Sequence, residues 1–453
     1  MTFATTQSSS QSIAGRGSGL WLAASGLVQL GLSALAARWI DDKPSFVLYL
    51  ACFLGWQVVY LLSCYVVTRR DHASRTTLWW ILAVAIVMRA IVLPTHPTLS
   101  DDIFRYRWDG RVQLEGINPY VYAPGSVELS RLRDEHFADI NNKDISTIYP
   151  PLMQHLFYGA AWLGVGIAGL KALFVLFDLA MVALLLGILR SLGMSSHRVL
   201  IYAWNPLVVT EIAGSGHNDV AAMCLLMAAQ LAILRQRRLA SMVLLGLSGS
   251  AKILGFLLAP LWWRHVRPRD YLALVATALL TTLPFLPAGA AMFEGLTQYA
   301  TRWRSNDSLF HVLYWLTGSL AWPKLIVGVF LTGMSVWLVA RRVEPLRAAY
   351  WVTGAILLLT STLHPWYLLW ILPYLCVFAS PMWLGLSATV ALAYHAPYIS
   401  IPGEPWQEWG FIKWLEYAPL LALGAYGAMR GLVKRSDPPG VESTHPATKE
   451  QGS

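Results

Sequence analysis

Apolar runs long enough to cross a bilayer recur along nearly the whole of this 453-residue chain. A helix needs about 20 apolar residues to span roughly 30 Å of hydrocarbon. Within that slab every backbone N–H and C=O must be satisfied by the chain itself, so only helices or a closed barrel can cross it. The runs here are far longer and more continuous than the alternating strands, about 10 residues each, of a barrel. Hydrophobic residues make up 56% of the sequence and charged ones 13%, about half the charge content of a soluble domain. The expected fold class is all-α: a polytopic transmembrane helical protein with about 12–14 membrane segments.

The net charge of +9 does not point to nucleic acid, because the basic residues sit in small clusters between apolar runs and form no continuous groove. The clusters are Arg69, Arg70 and Arg75; Arg190 and Arg198; Arg235, Arg237 and Arg238; Arg264, Arg267 and Arg269; Arg341, Arg342 and Arg347; and Arg430, Lys434 and Arg435. Alternating spans that start from a cytoplasmic N-terminus put them all on the inner face of a plasma membrane. Connections around residues 38–44, 95–150, 214–219, 290–308, 362–366 and 397–410 then face the periplasm or cell exterior. Cys52, Cys64, Cys224 and Cys376 lie within apolar runs and show no metal-binding spacing. No cleavable signal peptide is apparent. Residues 1–17 and 431–453 are expected to be disordered cytoplasmic termini flanking one transmembrane domain, 18–430.

Two stretches suggest interrupted helices. Residues 152–189 are long enough for two passes, yet the charge pattern permits an odd number, which implies a short interfacial helix beside one span. Residues 239–263 carry Gly246, Ser248, Gly249, Ser250 and Lys252 midway between Arg-rich flanks. A hairpin of two half-helices buried in protein keeps both flanks inside.

The first outer loop, 95–150, holds nine Asp/Glu against six Lys/Arg, and a loop of that length normally has structure or a task of its own. Asp102–Gly116 reads as an amphipathic helix lying against the membrane surface, ended by Asn118-Pro119. Asp101 and Asp102 precede it. Either caps the helix, or one is a general base whose pKa is raised by burial and by its neighbour.

A second outer turn runs from Trp204-Asn205-Pro206 through Glu211 to Gly214-Ser215-Gly216-His217-Asn218-Asp219. Glu211 is an ionisable group at membrane depth, a functional candidate by default. His217 either pairs with Asp219 or contacts phosphate; the plain alternative is a polar hairpin. In a third element, Arg302 and Arg304 are basic residues on the face where the orientation bias disfavours them, suited to a phosphate or to snorkelling toward headgroups. In a fourth, His364 can act in proton transfer or donate to a leaving phosphate. Beside it, Trp366 and Tyr367 either stack on a sugar or isoprenoid unit or anchor the interface. Lys171, Asp178 and Lys252 lie within apolar runs as internal ion pairs or lipid-phosphate ligands.

All four elements map to one membrane face under a topology chosen from arginines alone. A transporter would instead concentrate ionisable groups near the midplane, often in repeated halves, and no repeat is evident. A polyprenyl-linked sugar or lipid flippase is the competing class. Asp101-Asp102-Ile103-Phe104-Arg105-Tyr106, Glu115-Gly116-Ile117-Asn118-Pro119-Tyr120, Tyr149-Pro150-Pro151, Trp204-Asn205-Pro206, Gly216-His217-Asn218-Asp219 and His364-Pro365-Trp366-Tyr367 together resemble the C-type glycosyltransferases. Within these the likeness is to the bacterial polyprenyl-phosphate-mannose-dependent mannosyltransferases, over residues 80–380. The resemblance implies an Asp of the first outer loop as catalytic base, Asp102 with Asp101 as its rival. It also implies a polyprenyl-phosphate sugar donor, most simply mannose, and a glycolipid or glycan acceptor at the outer face, among membrane lipids. His364, Arg302, His217, Asp219, Arg105, Glu211, Trp366 and Tyr367 are then the candidates around the substrates. No cofactor is required, although two adjacent carboxylates make a divalent metal conceivable.

Overall fold

The computed structural model describes residues 4–40, 45–69, 74–399 and 408–436. Among these the structure is helical, and the one isolated extended pairing joins Ser305 to Thr362. The first three helices are α1 (Ala4–Ile40), α2 (Phe46–Arg69) and α3 (Arg75–Val92). Six described stretches are long and apolar enough to span a membrane: Gly19–Ile40, α2, α3, Ile167–Ser191, Pro268–Arg302 and Ala321–Ala340. Four shorter apolar helices, such as Asp219–Leu234 and Pro345–Leu359, fill the spaces between. This is an all-α, multi-pass membrane protein. Helix α1 begins at Ala4, and the last helix runs to Ser436. Positions 1–3 and 437–453 lie outside the described residues.

The 95–150 loop carries its own fold. Helix α4 (Asp102–Leu114) packs along α5 (Pro151–Trp162). Contrary to expectation, α4 does not lie against lipid: Phe104, Tyr106, Trp108 and Val112 are buried by protein. Tyr106 stacks on Phe157 with ring centroids 4.8 Å apart, and Trp108 meets Phe137 at 5.5 Å. Gly110 makes the close approach possible, since a Cβ there would stand 2.3 Å from the Phe157 carbonyl oxygen. Around it, Gln154 Nε2 donates to Asp109 Oδ2 (3.0 Å) and Arg105 Nε to Asp109 Oδ1 (2.9 Å). The loop's far side is tied down by Asp134, which pairs with Arg107 and Arg111 of α4.

Helix α6 (Ile167–Ser191) supplies Asp178, whose carboxylate pairs with Arg89 of α3 in the bundle interior. Arg89 also bonds the Ala203 carbonyl at 2.8 Å, so one guanidinium joins three segments. The Trp204-Asn205-Pro206 sequence is not an outer turn. Trp204 Nε1 reaches the Ile81 carbonyl of α3 (2.8 Å), and Asn205 Oδ1 caps the short helix begun by Pro206, accepting from Leu207 N at 2.9 Å. A cap and a proline at the first helical position restart a helix inside the bundle. That helix widens into a π-turn at Thr210–Gly214, a local expansion common at functional sites, before α7 (Asp219–Leu234) begins.

Helix α8 (Arg238–Ala251) stops where Lys252 adopts an extended conformation. A short helix, Leu254–Leu258, follows at once. The limbs touch at Gly255, where a Cβ would lie 2.4 Å from Gly249 N, giving the broken element that the Gly/Ser-rich sequence implies. At one end of the bundle His197 Nε2 meets the Ser74 carbonyl at 2.9 Å. Two of the basic clusters therefore share that end, opposite to the Val92 end of α3 from which the outer loop departs.

Candidate active site

A cavity of about 1740 Å³ opens where the 95–150 loop meets segments from the rest of the chain. Its walls include Asp101, Asp102 and Arg105 from α4 and its approach, Asp219 and Lys252 from the bundle, and Arg302, His364, Trp366 and Tyr367 from the distal half. Four sequence elements spread between residues 101 and 367 thus converge on one space. Pockets for drug-sized ligands run roughly 300–1,000 Å³, so this one has room for two substrates at once.

Asp101 occupies the N-cap position of α4 but makes no side-chain capping bond; the α4 start is met by Ser100 Oγ, which accepts from Asp102 N at 3.4 Å. Both carboxylates instead accept from one amide: Asn141 Nδ2 donates to Asp101 Oδ1 (2.6 Å) and Asp102 Oδ1 (3.0 Å). Asp101 is exposed, whereas the Asp102 side chain retains 22% exposure. Burial pushes the Asp102 carboxyl up to about 7, reinforced by the Asp101 charge and partly opposed by Asn141. Asp101 is raised as well, chiefly by desolvation. A carboxylate near neutrality that faces a cavity is poised to take a proton.

Across the cavity, Lys252 is bonded to Asp219, and Trp370 Nε1 donates to the same Asp219 oxygen at 2.6 Å. The ammonium also lies over the rings of Tyr367 (5.1 Å) and Trp370 (5.0 Å). Tyr367 shares a hydroxyl bond of 2.7 Å with Tyr299. Trp366 is sandwiched between two imidazoles, 4.3 Å from His364 and 4.0 Å from His217, both nearly parallel. Burial, and then the Lys252 charge, push the His364 imidazole down to about 3. It is therefore neutral at physiological pH and offers a donor or an acceptor but no charge. The cations lining the cavity include Lys252, Lys413, which pairs with Asp307 and Glu408, and Arg302, exposed at the end of helix Glu294–Arg302. Arg304 is engaged with Asp307 at 2.7 Å.

Several candidates take other positions than their sequence suggested. His217 does not pair with Asp219 and does not line the cavity; it is fully buried behind Asp102, 3.8 Å from it, and 3.4 Å from Glu211. Glu211 accepts the Tyr394 hydroxyl at 2.6 Å. Arg105 borders the cavity, but Asp109 and the Ile145 carbonyl (2.9 Å) hold its guanidinium. Asn141 carried no sequence signal; Lys252 did, as a cation at a Gly/Ser-rich break in an apolar run. Among the described residues no group of three or more His, Cys, Asp or Glu side chains converges as a metal site requires.

Residues 10–266 match the family model described as alpha-(1->6)-mannopyranosyltransferase, N-terminal domain. The chain is also similar to alpha-(1->6)-mannopyranosyltransferase A of Mycobacterium tuberculosis. The two are 23% identical over 443 residues, covering 88% of this chain and 84% of that protein. No solved structure matches it.

Proposed function

Because this chain belongs to the alpha-(1->6)-mannopyranosyltransferase family, we propose that it moves mannose from a polyprenyl-phosphate donor to a hydroxyl of a glycolipid or glycan at the outer membrane face. The observation that carries the reading is the Asp102 carboxylate, raised toward neutrality and facing Lys252 and Arg302 across a cavity of two-substrate size.

In this mechanism Asp102 takes the proton of the acceptor hydroxyl as its oxygen attacks the anomeric carbon and the C1–O bond to the lipid phosphate breaks. A single displacement inverts that carbon. A β-linked donor then yields the α-linkage that appears in the family's name. The departing phosphate keeps its negative charge, so it needs donors and cations aimed at it more than an acid. Arg302 and Lys252 supply positive charge, and the neutral His364 supplies a hydrogen bond. Trp366 and Tyr367 offer ring faces against which a sugar or isoprenoid unit stacks. The positions of the basic clusters support an outward-facing cavity.

The test is incubation of purified protein, reconstituted in lipid, with radiolabelled polyprenyl-phosphate mannose and candidate acceptors, beside the Asp101→Asn and Asp102→Asn variants. Label transfer is expected from the wild type and is expected to be lost in Asp102→Asn. Transfer undiminished in both variants would remove the base. Translocation of donor without cleavage of the sugar–phosphate bond would favour a flippase.

A further inference from the structure

Behind the cavity wall lie two fully buried ionisable side chains that the transfer step leaves unused. His217 and Glu211 have no solvent exposure. The imidazole stands between two carboxylates: Nδ1 is 3.8 Å from Asp102 Oδ2, and Nε2 is 3.4 Å from Glu211 Oε2. Among the described residues neither ring nitrogen, nor Glu211 Oε2, has a partner in hydrogen-bond geometry. Buried polar atoms are rarely left so, and a buried row of this kind points to groups whose bonding changes during turnover.

The backbone is built to hold the row. The π-turn at Thr210–Gly214 widens the helix at Glu211, and its far oxygen is fixed by the Tyr394 hydroxyl. Gly216 adopts φ +75°, and a Cβ there would meet Ile103 Cδ1 at 2.5 Å. The turn that aims His217 at the start of α4 therefore requires glycine. Trp366, parallel to the imidazole at 16° and 4.0 Å, fixes the plane of the ring. His364 in turn stacks on Trp366. Asp219 on α7 and Lys252 at the α8 break stand nearby, and Asp101 and Asn141 flank Asp102 from the outer loop. Tyr49 of α2 faces Glu211.

We propose that His217 and Glu211 form a proton relay behind Asp102, so that the proton taken from the acceptor hydroxyl passes through the imidazole and comes to rest on Glu211. The inference rests on the reading of Asp102 as the base. The acceptor oxygen keeps the electron pair of its broken O–H bond and uses it to bond the anomeric carbon. The C1–O pair departs with the lipid phosphate. The proton reaches Asp102, which delivers it to Nδ1 as Nε2–H is given to Glu211. Asp102 ends the step as a carboxylate, and the proton returns by the same row when product leaves and water enters. The gap of 3.8 Å needs a closure of under about 1 Å, within the tightening that catalytic hydrogen bonds undergo when substrate binds. His217 and Glu211 are thus positioning and relay residues that act through Asp102.

The experiment compares kcat, donor KM, pH profile and solvent deuterium isotope effect in lipid-reconstituted wild type, His217→Gln, Glu211→Gln and Asp102→Asn. It adds His217→Ala with and without free imidazole. Both Gln variants are expected to lose on the order of 100-fold in kcat, with donor KM close to that of wild type and an isotope effect reduced to that of a single proton in flight. Imidazole is expected to restore His217→Ala. Unchanged kcat and isotope effect in both Gln variants would overturn the relay. So would a rate loss that imidazole fails to restore with the isotope effect unchanged, which would mark His217 as packing. In either case an inactive Asp102→Asn leaves the base standing; an active Asp102→Asn removes base and relay together.

Discussion

Lys252 donates a charge-assisted hydrogen bond to Asp219, joining the break after α8 to the first turn of α7 at the cavity wall. Two aromatic faces and one indole N–H hold the pair in place. The ammonium is thereby fixed in direction, and its charge also favours ionised Asp102.

Replacing this cation tests its role directly. Lys252→Met is expected to lower transfer on the order of 100-fold, the usual effect of removing one preorganised donor. It also withdraws a charge that favours the Asp102 carboxylate, so the acid limb of the pH profile should move to higher pH. Steady-state rates over a pH series check both effects.

Asp102 must be ionised to act as a base. With its carboxyl near 7, kcat/KM should climb as pH rises through neutrality and fall away below it. Asp101→Asn removes the like charge that helps hold Asp102 up, so the rise should move to lower pH while the enzyme stays active. Asp102→Asn should lose about 10²–10⁴-fold in rate and show no such limb. Radiolabel transfer measured between about pH 5 and pH 9 distinguishes the two carboxylates.

The seam between α4 and α5 depends on Gly110, where a methyl group would press on the Phe157 carbonyl. Gly110→Ala should destabilise the protein by about 1–3 kcal/mol, the common cost of overpacking. Thermal unfolding in detergent, followed by intrinsic fluorescence, reports the change. An unaltered transition would show that the outer helix can shift without consequence.

The Arg89–Asp178 pair offers a double-mutant cycle. Arg89→Met or Asp178→Leu alone leaves an uncompensated buried charge and should cost about 3–5 kcal/mol, whereas the double variant should recover most of it. Unfolding transitions of the four proteins close the cycle.

Span composition, the broken element at Lys252 and the helix after Asp101 were all legible in the sequence, because each depends on local hydrophobicity, glycine or breaker residues. What α4 packs against was not. Phe104, Tyr106 and Trp108 suit a lipid headgroup region and a protein interior equally well, and Gly110 was the one local sign of a close neighbour. The acidic pair, Asp219, Arg302, His364, Trp366 and Tyr367 were singled out by being polar or aromatic beside apolar runs, and the fold brings them to one cavity. The partners of His217 were hidden, since Asp102 and Trp366 lie more than a hundred positions away from it. Asn141 was hidden too: an asparagine in a polar loop gives no sign that both carboxylates will share its amide.

The division of the cavity wall along the chain carries a consequence for synthesis. Asp101, Asp102, Asp219 and Lys252 fall within the span matched to the family's N-terminal domain, whereas Tyr299, Arg302, His364, Trp366, Tyr367 and Tyr394 come after its end at residue 266. A ribosome that has delivered Asp101, Asp102, Asp219 and Lys252 has therefore still built only half an enclosure, open where the stacked indole and Arg302 belong. If the transfer we propose takes place in this cavity, the growing polypeptide cannot carry it out until nearly all of its helices have been made.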